Sequence, residues 1–335
     1  MKLSVLITTY NLVKYIDETI KSVLAQKTNF KFEILIGDDG SNDGTIDKII
    51  NWQEKYPDII KYFVMDRKVG VKYNKIERAS KNRINLIEHA TGEFLIFLDG
   101  DDFYTDNRKL QKQVDVLENK EYSNCIACAH NASYYWSEQN KKPVNKYNKK
   151  FVINASDYWK WGLYFFNGTV LFRNIFNGNF PKEVNQKYFD DNIIIFYLLK
   201  HGNILYLPDN MVNYRQIEVS CWNSVDNIEK NIINLMDLDI EKQINKKLYK
   251  ESYIRHTYNI FYLWLFRKKI NNIKYNKYLL QAKKDDLKKT KYILEYKDLK
   301  IKSKLLFTIK LFINVMKFIF VRLIKCIKLN RFRRV

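Results

Sequence analysis

The sequence predicts an α/β fold in which a mostly parallel central sheet is covered by helices on both faces. Three observations lead to this class. Short apolar runs alternate with segments of helical spacing along the first hundred residues. Only a few residues separate successive elements, as is typical of strands joined by helical crossovers. Polar residues follow the strands directly, where sheets of this kind bind ligands.

The first two strand–helix units follow from apolar periodicity. The run LSVLIT at 3–8 predicts a strand because it is apolar and rich in residues that favour strands, and residues 15–25 have apolar side chains near helical spacing. FEILIGDD at 32–39 predicts the second strand. The helix expected at 45–56 ends before Pro57, because proline cannot continue a helix.

The pattern continues, with less regularity, to about residue 215. We expect a strand at 59–65, a helix at 75–90 and the strand FLIFL at 94–98. Residues 134–150 are polar and lack periodicity, which predicts a mobile loop. A helix from Asp191 to Lys200 and the short strand ILYLP then follow.

The four cysteines, Cys125, Cys128, Cys221 and Cys326, are too few and too scattered for a disulfide framework, so a reducing compartment is expected. The first two have the spacing of a redox or zinc motif. No second pair or suitably spaced histidine completes it, and the alternation of NCIACAH favours a buried strand. The apolar run at 3–7 is shorter than a signal-peptide core, so we expect a cytoplasmic body.

Charge divides the chain into a neutral body and a basic tail. Residues 1–240 hold 31 Lys and Arg against 31 Asp and Glu, whereas residues 241–335 hold 27 against 6. The entire formal net charge of +21 therefore lies after residue 240. Such a tail needs an acidic partner or surface.

The segment LLFTIKLFINVMKFIFVRLIKCIK at 305–328 is long enough to span a bilayer, but Lys310, Lys317, Arg322 and Lys325 make spanning costly. A wide apolar face with a narrow basic stripe predicts a helix lying in the interface of an anionic membrane. The alternative is an interaction helix packed on the body or on a second subunit of a homo-oligomer. Nucleic-acid binding is disfavoured, because the basic residues are interleaved with long aliphatic runs.

Acidic residues gather after the predicted strands, and they are Asp38, Asp39, Asp99, Asp101 and Asp102. On one rim of a sheet they would repel one another unless a cation or hydrogen-bond donors offset them. The alternative is that Asp and Gly only form turns and caps, as we expect for Asp43 and Gly44. Mg²⁺ and Mn²⁺ prefer oxygen ligands, and Mg²⁺ often takes one or two carboxylates together with substrate phosphates. The pattern therefore favours a metal-bound nucleotide diphosphate.

Two common nucleotide sites are excluded by the motifs. The chain has no GxxxxGKS, which argues against a P-loop kinase. No GxGxxG opens a helix after the first strand, which argues against a dinucleotide dehydrogenase.

The chain contains four ordered motifs, which are SVLITTYN at 4–11, EILIGDDGSNDGT at 33–45, GEFLIFLDGDDFYTDNRKLQKQVDVLE at 92–118 and YFDDNIIIFYLLKHGNILYLPDNMVNYR at 188–215. Together they resemble the family 2 glycosyltransferases of the GT-A fold. The likeness covers residues 1 to about 225 and is greatest to the bacterial branch that builds capsule, lipopolysaccharide or related surface glycans. It implies a metal-dependent inverting transferase that moves a sugar from a UDP-sugar to a cell-envelope or lipid-linked saccharide. The alternative is a non-catalytic sugar-nucleotide-binding or scaffold protein of the same fold.

The resemblance also implies how the chain is organised. It places a Rossmann-like GT-A domain at 1–226, with a nucleotide-binding half up to about residue 120 and an acceptor half after it. A helical extension at 227–300 and a basic amphipathic membrane-associating helix at 301–335 would follow. The protein would then be peripheral on the cytoplasmic face of the inner membrane.

The resemblance implies roles for residues near the nucleotide. Thr8 and Tyr10 would frame the base, Asp39 would bind a uracil-type base, and Gly70 would lie where the chain passes close to the base. Asp99 would accept hydrogen bonds from the ribose hydroxyls.

Further roles concern the diphosphate and the transfer itself. Asp101 would ligate Mn²⁺ or Mg²⁺ on the diphosphate, with Asp102 behind it. Of the pair Asp190 and Asp191, Asp191 would be the general base that takes the proton of the acceptor hydroxyl. Capping of the following helix is the structural alternative for this pair.

The sequence departs from the family pattern at one site. Many relatives carry a metal-binding histidine after the Tyr-Arg of the last motif, but Gln216 stands here, so that ligand is absent. His130 and His201 are better explained as a strand residue and a helix-end residue. The resemblance places an aromatic segment where relatives build the acceptor side, and it comprises Trp159, Trp161, Phe165 and Phe166 with Asn167 and Gly168. Sugar rings stack on such faces, which favours binding for Trp159 and Trp161, although aromatic residues also fill cores.

Overall fold

The computed structural model describes a defined part of the chain, namely residues 1–68, 70–71, 73–155, 158, 163–181 and 189–217. The chain divides into two compact units, and every described residue belongs to the first, which comprises Met1–Tyr158 and Gly162–Ile217. The predicted extension at 227–300 and the predicted membrane helix at 301–335 lie outside the described residues. The domain boundaries therefore stay predictions.

The described residues form ten strands joined in one sheet. They are β1 (Leu3–Thr9), β2 (Phe32–Asp38), β3 (Ile60–Val64), β4 (Phe94–Asp99), β5 (Phe103–Tyr104), β6 (Cys125–Ser137), β7 (Asn140–Pro143), β8 (Phe151–Ile153), β9 (Val170–Arg173) and β10 (Asn203–Arg215). Five α-helices accompany them, α1 (Ile16–Leu24), α2 (Thr45–Lys55), α3 (Lys75–His89), α4 (Lys109–Glu118) and α5 (Asp191–His201), with short 3₁₀ turns at Lys120–Tyr122 and Asn167–Thr169. None of the helices in this part of the chain has the length and apolar character needed to cross a bilayer.

The main path of the sheet runs β3-β2-β1-β4-β9-β6-β10-β5, with β7 paired to β6 and β8 paired to β10. The first four strands of this path are parallel, and so are β6 and β10. Strand β9 is antiparallel to both of its neighbours, β4 and β6. The predicted α/β class, with parallel strands alternating with helices, is confirmed.

The core explains why the central strands read as continuous apolar runs. Helices pack on the sheet, so successive side chains of one strand are buried whichever face they point to. In β1 the residues Leu3, Val5 and Ile7, and also the alternate residue Leu6, are 0% exposed. Strand–helix elements up to residue 99 lie where they were predicted, within about two residues at each end.

The loop predicted at 134–150 is wrong in its first ten residues. Strand β6 continues through Ser137, and β7 (Asn140–Pro143) pairs with it in an antiparallel hairpin in which Ser137 faces Asn140. All four residues of β7 are exposed. A hairpin that is solvated on its outer strand has no apolar alternation to reveal it, because backbone pairing holds it together.

The predicted short strand ILYLP is the start of the longer β10. The strand passes through Pro208, Asp209 and Asn210 by shifts in its register with β6, and it continues to Arg215. Such irregularities interrupt the apolar pattern without ending the strand.

Two smaller predictions are confirmed. Cys125 and Cys128 lie on β6 as buried, free thiols, so they form no disulfide within the described part. Asp43 accepts a hydrogen bond from the backbone N–H of Thr45 at 3.0 Å, and Gly44 has a positive φ of 94° just before α2. These residues build a turn and a helix start, as expected.

Candidate active site

The polar ends of β1, β2 and β4 meet at one rim of the sheet. In the register of the parallel ladders, Thr8 lies beside Asp99 and Thr9 lies beside Asp38. The backbone N–H of Gly100 donates to the carbonyl of Thr8 at 2.9 Å, which continues the contact beyond the end of β4. The carboxyl ends of three central strands therefore bring their acidic residues together, as the sequence predicted.

Gly100 allows the turn after β4 to lie against β1. A Cβ atom at this position would stand 2.7 Å from Cγ2 of Thr9 and 3.1 Å from the carbonyl oxygen of Thr8. Backbone and a short branched side chain cannot give way easily at such distances. The glycine in LDGDD is therefore a packing requirement of the rim.

Asp99 accepts hydrogen bonds from two protein side chains. Its Oδ1 accepts from Oγ1 of Thr8 at 3.0 Å, and Nδ2 of Asn167 lies 3.1 and 3.2 Å from its two oxygens. Its carboxylate is 30% exposed, so it still faces the rim. The structure thus holds Asp99 at the rim by these two side chains, and its contact with a ribose stays a prediction.

Asp101 and Asp102 form a crowded acidic pair. Asp102 is 1% exposed, its Oδ1 accepts from the backbone N–H of Arg215 at 2.8 Å, and its Oδ2 has no hydrogen-bond partner among the described residues. Burial, followed by the charge of Asp101, raises the pKa of Asp102 well above its usual value. Burial and the charge of Asp99 raise the pKa of Asp101 to about 7. The rim is therefore short of positive charge.

Arg215 is the basic residue that reaches this turn. Its Nε donates to the carbonyl oxygen of Asp101 at 2.8 Å, and its Nη2 donates to Oε2 of Glu18 at 2.6 Å. The guanidinium lies 4.9 to 5.4 Å from the ring centres of three aromatic residues, Tyr15, Phe103 and Tyr135. These contacts hold the guanidinium on the backbone of the turn.

The residues present fit a divalent cation that arrives with its ligand. Within the described ranges, no three His, Cys, Asp or Glu side chains form a ready-made metal group. Mg²⁺ does not require one, since it commonly takes one or two carboxylates and completes its shell with phosphates and water. The unpartnered oxygen of Asp102 and the raised pKa of Asp101 indicate where positive charge is missing. The role of Asp101 as a carboxylate ligand stays a prediction.

Asp39 lies in a cluster of arginine and tyrosine side chains. Its carboxylate accepts hydrogen bonds from Nη2 of Arg67 and from Nε of Arg78. The guanidinium of Arg67 lies 4.1 Å from the ring centre of Tyr10 and 5.3 Å from that of Tyr73. The two arginines were not anticipated from the sequence, because nothing in their spacing indicates a partner on another strand.

The remaining residues predicted near the base are placed as follows. Tyr10 is 39% exposed at the rim. Gly70 has a positive φ of 78°, and a Cβ atom there would meet nothing within 4 Å. Asp38 accepts from Oγ1 of Thr9 and from both N–H and Oγ of Ser41, so it serves the turn after β2. The roles of Tyr10, Gly70 and Asp39 toward a base stay predictions.

The two acidic residues at the start of α5, Asp190 and Asp191, have different positions. Asp190 caps the helix, since its Oδ1 accepts from the backbone N–H of Ile193 at 2.9 Å. Asp191 is the first helical residue and lines a pocket whose other described members are Phe97, Phe165, Phe166, Asn167, Val170, Phe172, Ile194 and Ile195. Burial and the charge of Asp190 raise the pKa of Asp191 to about 7. A carboxylate with that pKa can exchange a proton near neutral pH.

Arg83 on α3 connects the rim to this acidic pair. Its Nη2 lies 4.0 Å from Oδ1 of Asp99, and its Nη1 donates to the carbonyl oxygen of Phe189 at 3.4 Å. Its charge lowers the pKa of both Asp190 and Asp191 against the effect of burial. The role of this residue was not predicted from the sequence, because a single arginine in an amphipathic helix is usually a solvent-exposed charge.

Aromatic side chains border the pocket of Asp191. The rings of Phe166 and Tyr214 stack with centres 4.0 Å apart and planes 5° apart, and Tyr134 packs edge-on against both. Trp136 follows at 6.3 Å from Tyr134 and is 49% exposed. The predicted acceptor residues Trp159 and Trp161 lie outside the described residues.

The two histidines considered as metal ligands lie in a strand and at the end of a helix. His130 is buried in β6, with Nδ1 2.6 Å from the carbonyl oxygen of Asn131. His201 is the last residue of α5. Both placements agree with the sequence prediction.

Comparison with curated proteins gives several partial relatives. The chain is 27% identical over 234 residues to an uncharacterized protein of Mycobacterium tuberculosis, a match covering 66% of this chain and 61% of that protein. It is 31% identical over 227 residues to an uncharacterized glycosyltransferase of Nostoc, covering 64% and 65% of the two chains. It is also 39% identical over 102 residues to a GalNAc(5)-diNAcBac-PP-undecaprenol beta-1,3-glucosyltransferase of Campylobacter jejuni, covering 30% of each.

Solved structures share the fold. The structure of Staphylococcus aureus TarS in complex with UDP-GlcNAc superposes with a TM-score of 0.57 at 19% identity, covering 88% of this chain and 80% of that one. The complex of the same protein with UDP gives a TM-score of 0.54 at 18% identity, with 88% and 79% covered. At this identity the likeness concerns the fold, which is of the GT-A type.

The family assignment comes from the sequence pattern described as Glycosyl transferase family 2, which matches residues 4–180. The matched range is more than half of the 335 residues and contains β1 to β4 with the acidic rim. The chain therefore belongs to glycosyltransferase family 2.

Proposed function

We propose that the protein is a metal-dependent inverting glycosyltransferase that moves a sugar from a UDP-sugar to a saccharide acceptor of the cell envelope. The observation that carries this proposal is the arrangement of two acidic groups around Asn167. Asn167 donates to Asp99 of the rim and also lines the pocket of Asp191. A donor diphosphate at the rim would thus present its sugar toward a carboxylate that can accept a proton.

The donor would lie across the ends of β1, β2 and β4. Asp99 would accept from the ribose hydroxyls, and Tyr10 and Asp39 with its arginine partners would surround the base. A UDP-linked donor is favoured because TarS, which has the same fold, was solved with UDP and with UDP-GlcNAc. Which sugar is attached depends on the shape of the pocket.

Asp101 would hold a divalent cation, Mn²⁺ or Mg²⁺, together with the diphosphate. When bound, such a cation stabilises the negative charge of the leaving diphosphate. Arg215 holds the turn that carries Asp101 through its bond to the backbone carbonyl. Asp102 would stay behind the site, since its Oδ1 is already bound to the backbone of Arg215.

Asp191 would act as the general base. In an inverting transfer the acceptor hydroxyl attacks the anomeric carbon from the side opposite the diphosphate, and a carboxylate takes the proton of that hydroxyl. The oxygen–carbon bond forms as the bond to the diphosphate breaks, so the protein needs no covalent sugar intermediate. Asp190 stabilises the start of α5 by capping and so keeps Asp191 in place.

The acceptor would be a saccharide on a membrane lipid. The Campylobacter relative is named for a substrate linked to undecaprenyl diphosphate, which favours this class. The basic amphipathic segment at 305–328 would hold the protein as a peripheral enzyme on the cytoplasmic face of the inner membrane, where it raises the local concentration of the acceptor. The pathway that we propose is the synthesis of capsule, lipopolysaccharide or a related surface glycan.

The activity is tested by screening UDP-sugars for hydrolysis or transfer with and without Mn²⁺. We expect metal-dependent turnover that is lost in Asp101→Ala and in Asp191→Asn, each with its melting temperature close to that of the wild type. Asp58→Asn is the matched control, because Asp58 is exposed at the opposite end of the sheet, before β3. Turnover that is indifferent to Mn²⁺ and to both variants would contradict the proposal.

Membrane association is tested separately by sedimentation with vesicles of phosphatidylglycerol. Replacing Lys310, Lys317 and Lys325 by Glu should abolish binding, because it converts the basic stripe to an acidic one. The matched control replaces three exposed lysines of the body, Lys27, Lys31 and Lys120, in the same way. Equal loss in both triple variants would show that overall charge matters and the tail does not.

A further inference from the structure

Strand β10 presents alternate residues to opposite faces of the sheet beside the rim. In its register with β6, Tyr214 lies beside Tyr134 and Arg215 lies beside Tyr135. Because successive side chains of a strand alternate, Arg215 and Tyr135 share one face, and Tyr214 and Tyr134 share the other. The first face holds the backbone of Asp101, and the second carries the aromatic row described above.

The aromatic row leads from the pocket of Asp191 to the surface. Phe166 lines that pocket and stacks on Tyr214 at 4.0 Å. Tyr134 contacts both rings edge-on at 5.8 and 6.1 Å, and Trp136 lies 6.3 Å further along. The rings become more exposed along this order, since Phe166 and Tyr214 are partly buried and Trp136 is 49% exposed.

Polar groups accompany the inner end of the row. Burial, with smaller contributions from the charges of Asp102, Asp99 and Asp191, raises the pKa of Tyr214. Tyr214 thus stays a neutral phenol at neutral pH, and its ring stacks on Phe166, which lines the pocket of Asp191. Asn167 lines the same pocket, and its amide group is oriented by Asp99. The inner end therefore offers hydroxyl and amide groups that can bond a polyhydroxylated ligand.

Packing alone does not account for the outer end. Trp136 lies in the exposed hairpin of β6 and β7, where a large ring half in water contributes little to a core. A row of aromatic faces with hydroxyl and amide groups at its inner end suits a sugar ring, which has apolar C–H faces and polar edges. An alkyl chain would gain nothing from those polar groups.

We propose that Trp136, Tyr134 and the stacked pair of Tyr214 and Phe166 form the acceptor subsite, in which a sugar ring of the acceptor stacks and directs a hydroxyl group toward Asp191. This inference rests on the proposed function and deepens it, because it names the residues that select a saccharide. It places acceptor binding on described residues, namely two of β6, one of β10 and Phe166.

The subsite is tested by titrating the protein, in the presence of UDP and Mn²⁺, with octyl and methyl glycosides of glucose, galactose, N-acetylglucosamine and N-acetylgalactosamine. For at least one of the four sugars, both the octyl and the methyl glycoside should bind the wild type. Trp136→Ala should weaken that binding about tenfold, and Trp136→Phe should weaken it less, because it keeps an aromatic face. Tyr62→Ala is the matched control, since Tyr62 is 37% exposed on the distant strand β3.

The following outcomes would overturn the proposed acceptor subsite. Equal affinity in Trp136→Ala and the wild type, or no binding by any glycoside, would overturn the subsite. Binding of octanol as tight as that of the octyl glycosides, and equally sensitive to Trp136→Ala, would show a lipid-chain site and would also overturn it. UDP binding and donor hydrolysis by the wild type are measured alongside: if both are absent, the proposed function fails, and if both are present without glycoside binding, only the subsite fails.

Discussion

Arg215 donates its backbone N–H to Oδ1 of Asp102 over 2.8 Å, although 113 positions separate the two residues in the chain. The side chain of Arg215 adds a bond to the carbonyl oxygen of Asp101 at 2.8 Å. Strand β10 is thereby tied to the turn that follows β4. The position of the predicted metal ligand therefore depends on a residue from the other end of the domain.

Arg215→Lys should lower kcat/KM for the UDP-sugar roughly 10- to 100-fold, the value of a lost hydrogen bond from a charged group. Lysine keeps the charge and the backbone bond, but it cannot reproduce the Nε contact or the flat packing between Tyr15, Phe103 and Tyr135. Steady-state kinetics with a UDP-sugar checks this result. Arg108→Lys, at an exposed residue before α4, is the control, and an equal effect in both variants would contradict the assigned role.

Asp191→Asn should reduce kcat by roughly 10²- to 10⁴-fold with little change in UDP affinity, because it removes only the proton acceptor. Asp190→Asn should cost far less activity, since asparagine also caps helices well. Both variants should melt near the wild-type temperature. Single-turnover rates together with UDP titration separate the two effects. A larger loss of rate in Asp190→Asn than in Asp191→Asn would reverse the assignment within the pair.

The pH dependence of turnover should show an acidic limb near pH 7. Burial and Asp190 raise the pKa of Asp191 to about 7, and the base acts only when it is deprotonated, so the rate should fall as the pH drops through that value. Arg83 favours the carboxylate, so Arg83→Gln should raise the pKa and move the limb to higher pH. The profile of kcat against pH measures the shift, with Arg108→Gln as the control. A limb that stays in place or moves to lower pH would rule out the role given to Arg83.

His130 should reduce stability in mild acid, against the opposite effect of Asp101 and Asp191, whose raised pKa values favour the folded state as the pH falls. Burial lowers the pKa of His130 well below its usual value, and its Nε2 has no partner in the part of the chain that the structure describes. In the unfolded state His130 therefore takes up a proton near pH 6.5, whereas in the folded state it stays neutral at that pH. The contribution to stability is complete above that pH and is lost as the pH falls below it, by up to about 1.4 kcal/mol per pH unit.

Urea unfolding of the wild type at several pH values between 5 and 8 measures this dependence. His130→Phe should change the slope of the free energy of unfolding against pH by about one proton, toward greater stability at low pH, whereas His89→Gln should not, because His89 is exposed on α3. An unchanged slope in His130→Phe would mean that other groups cause the acid sensitivity.

The order of strands and helices and the acidic rim were predictable from the sequence, because both depend on local patterns. Apolar runs covered on both faces identify β1, β2 and β4, and parallel strands bring their carboxyl ends to one edge. The hairpin of β6 and β7 was missed because its outer strand is fully exposed. Arg83 and Arg215 were missed for a different reason: their partners Asp99 and Asp102 lie on other elements, and periodicity carries no information about such pairs.

The alternation of Tyr214 and Arg215 on β10 has a consequence for redesign of this enzyme. One residue belongs to the side on which the acceptor is proposed to bind, and its immediate neighbour holds the turn of the donor side. A substitution that shifts the backbone at Tyr214 will therefore also move Arg215 and the turn that carries Asp101. Variants of β10 that are made to broaden acceptor choice should also be tested for turnover of the donor. Changes at Trp136, two residues beyond Tyr134 in an outer hairpin, can be made without affecting the donor side.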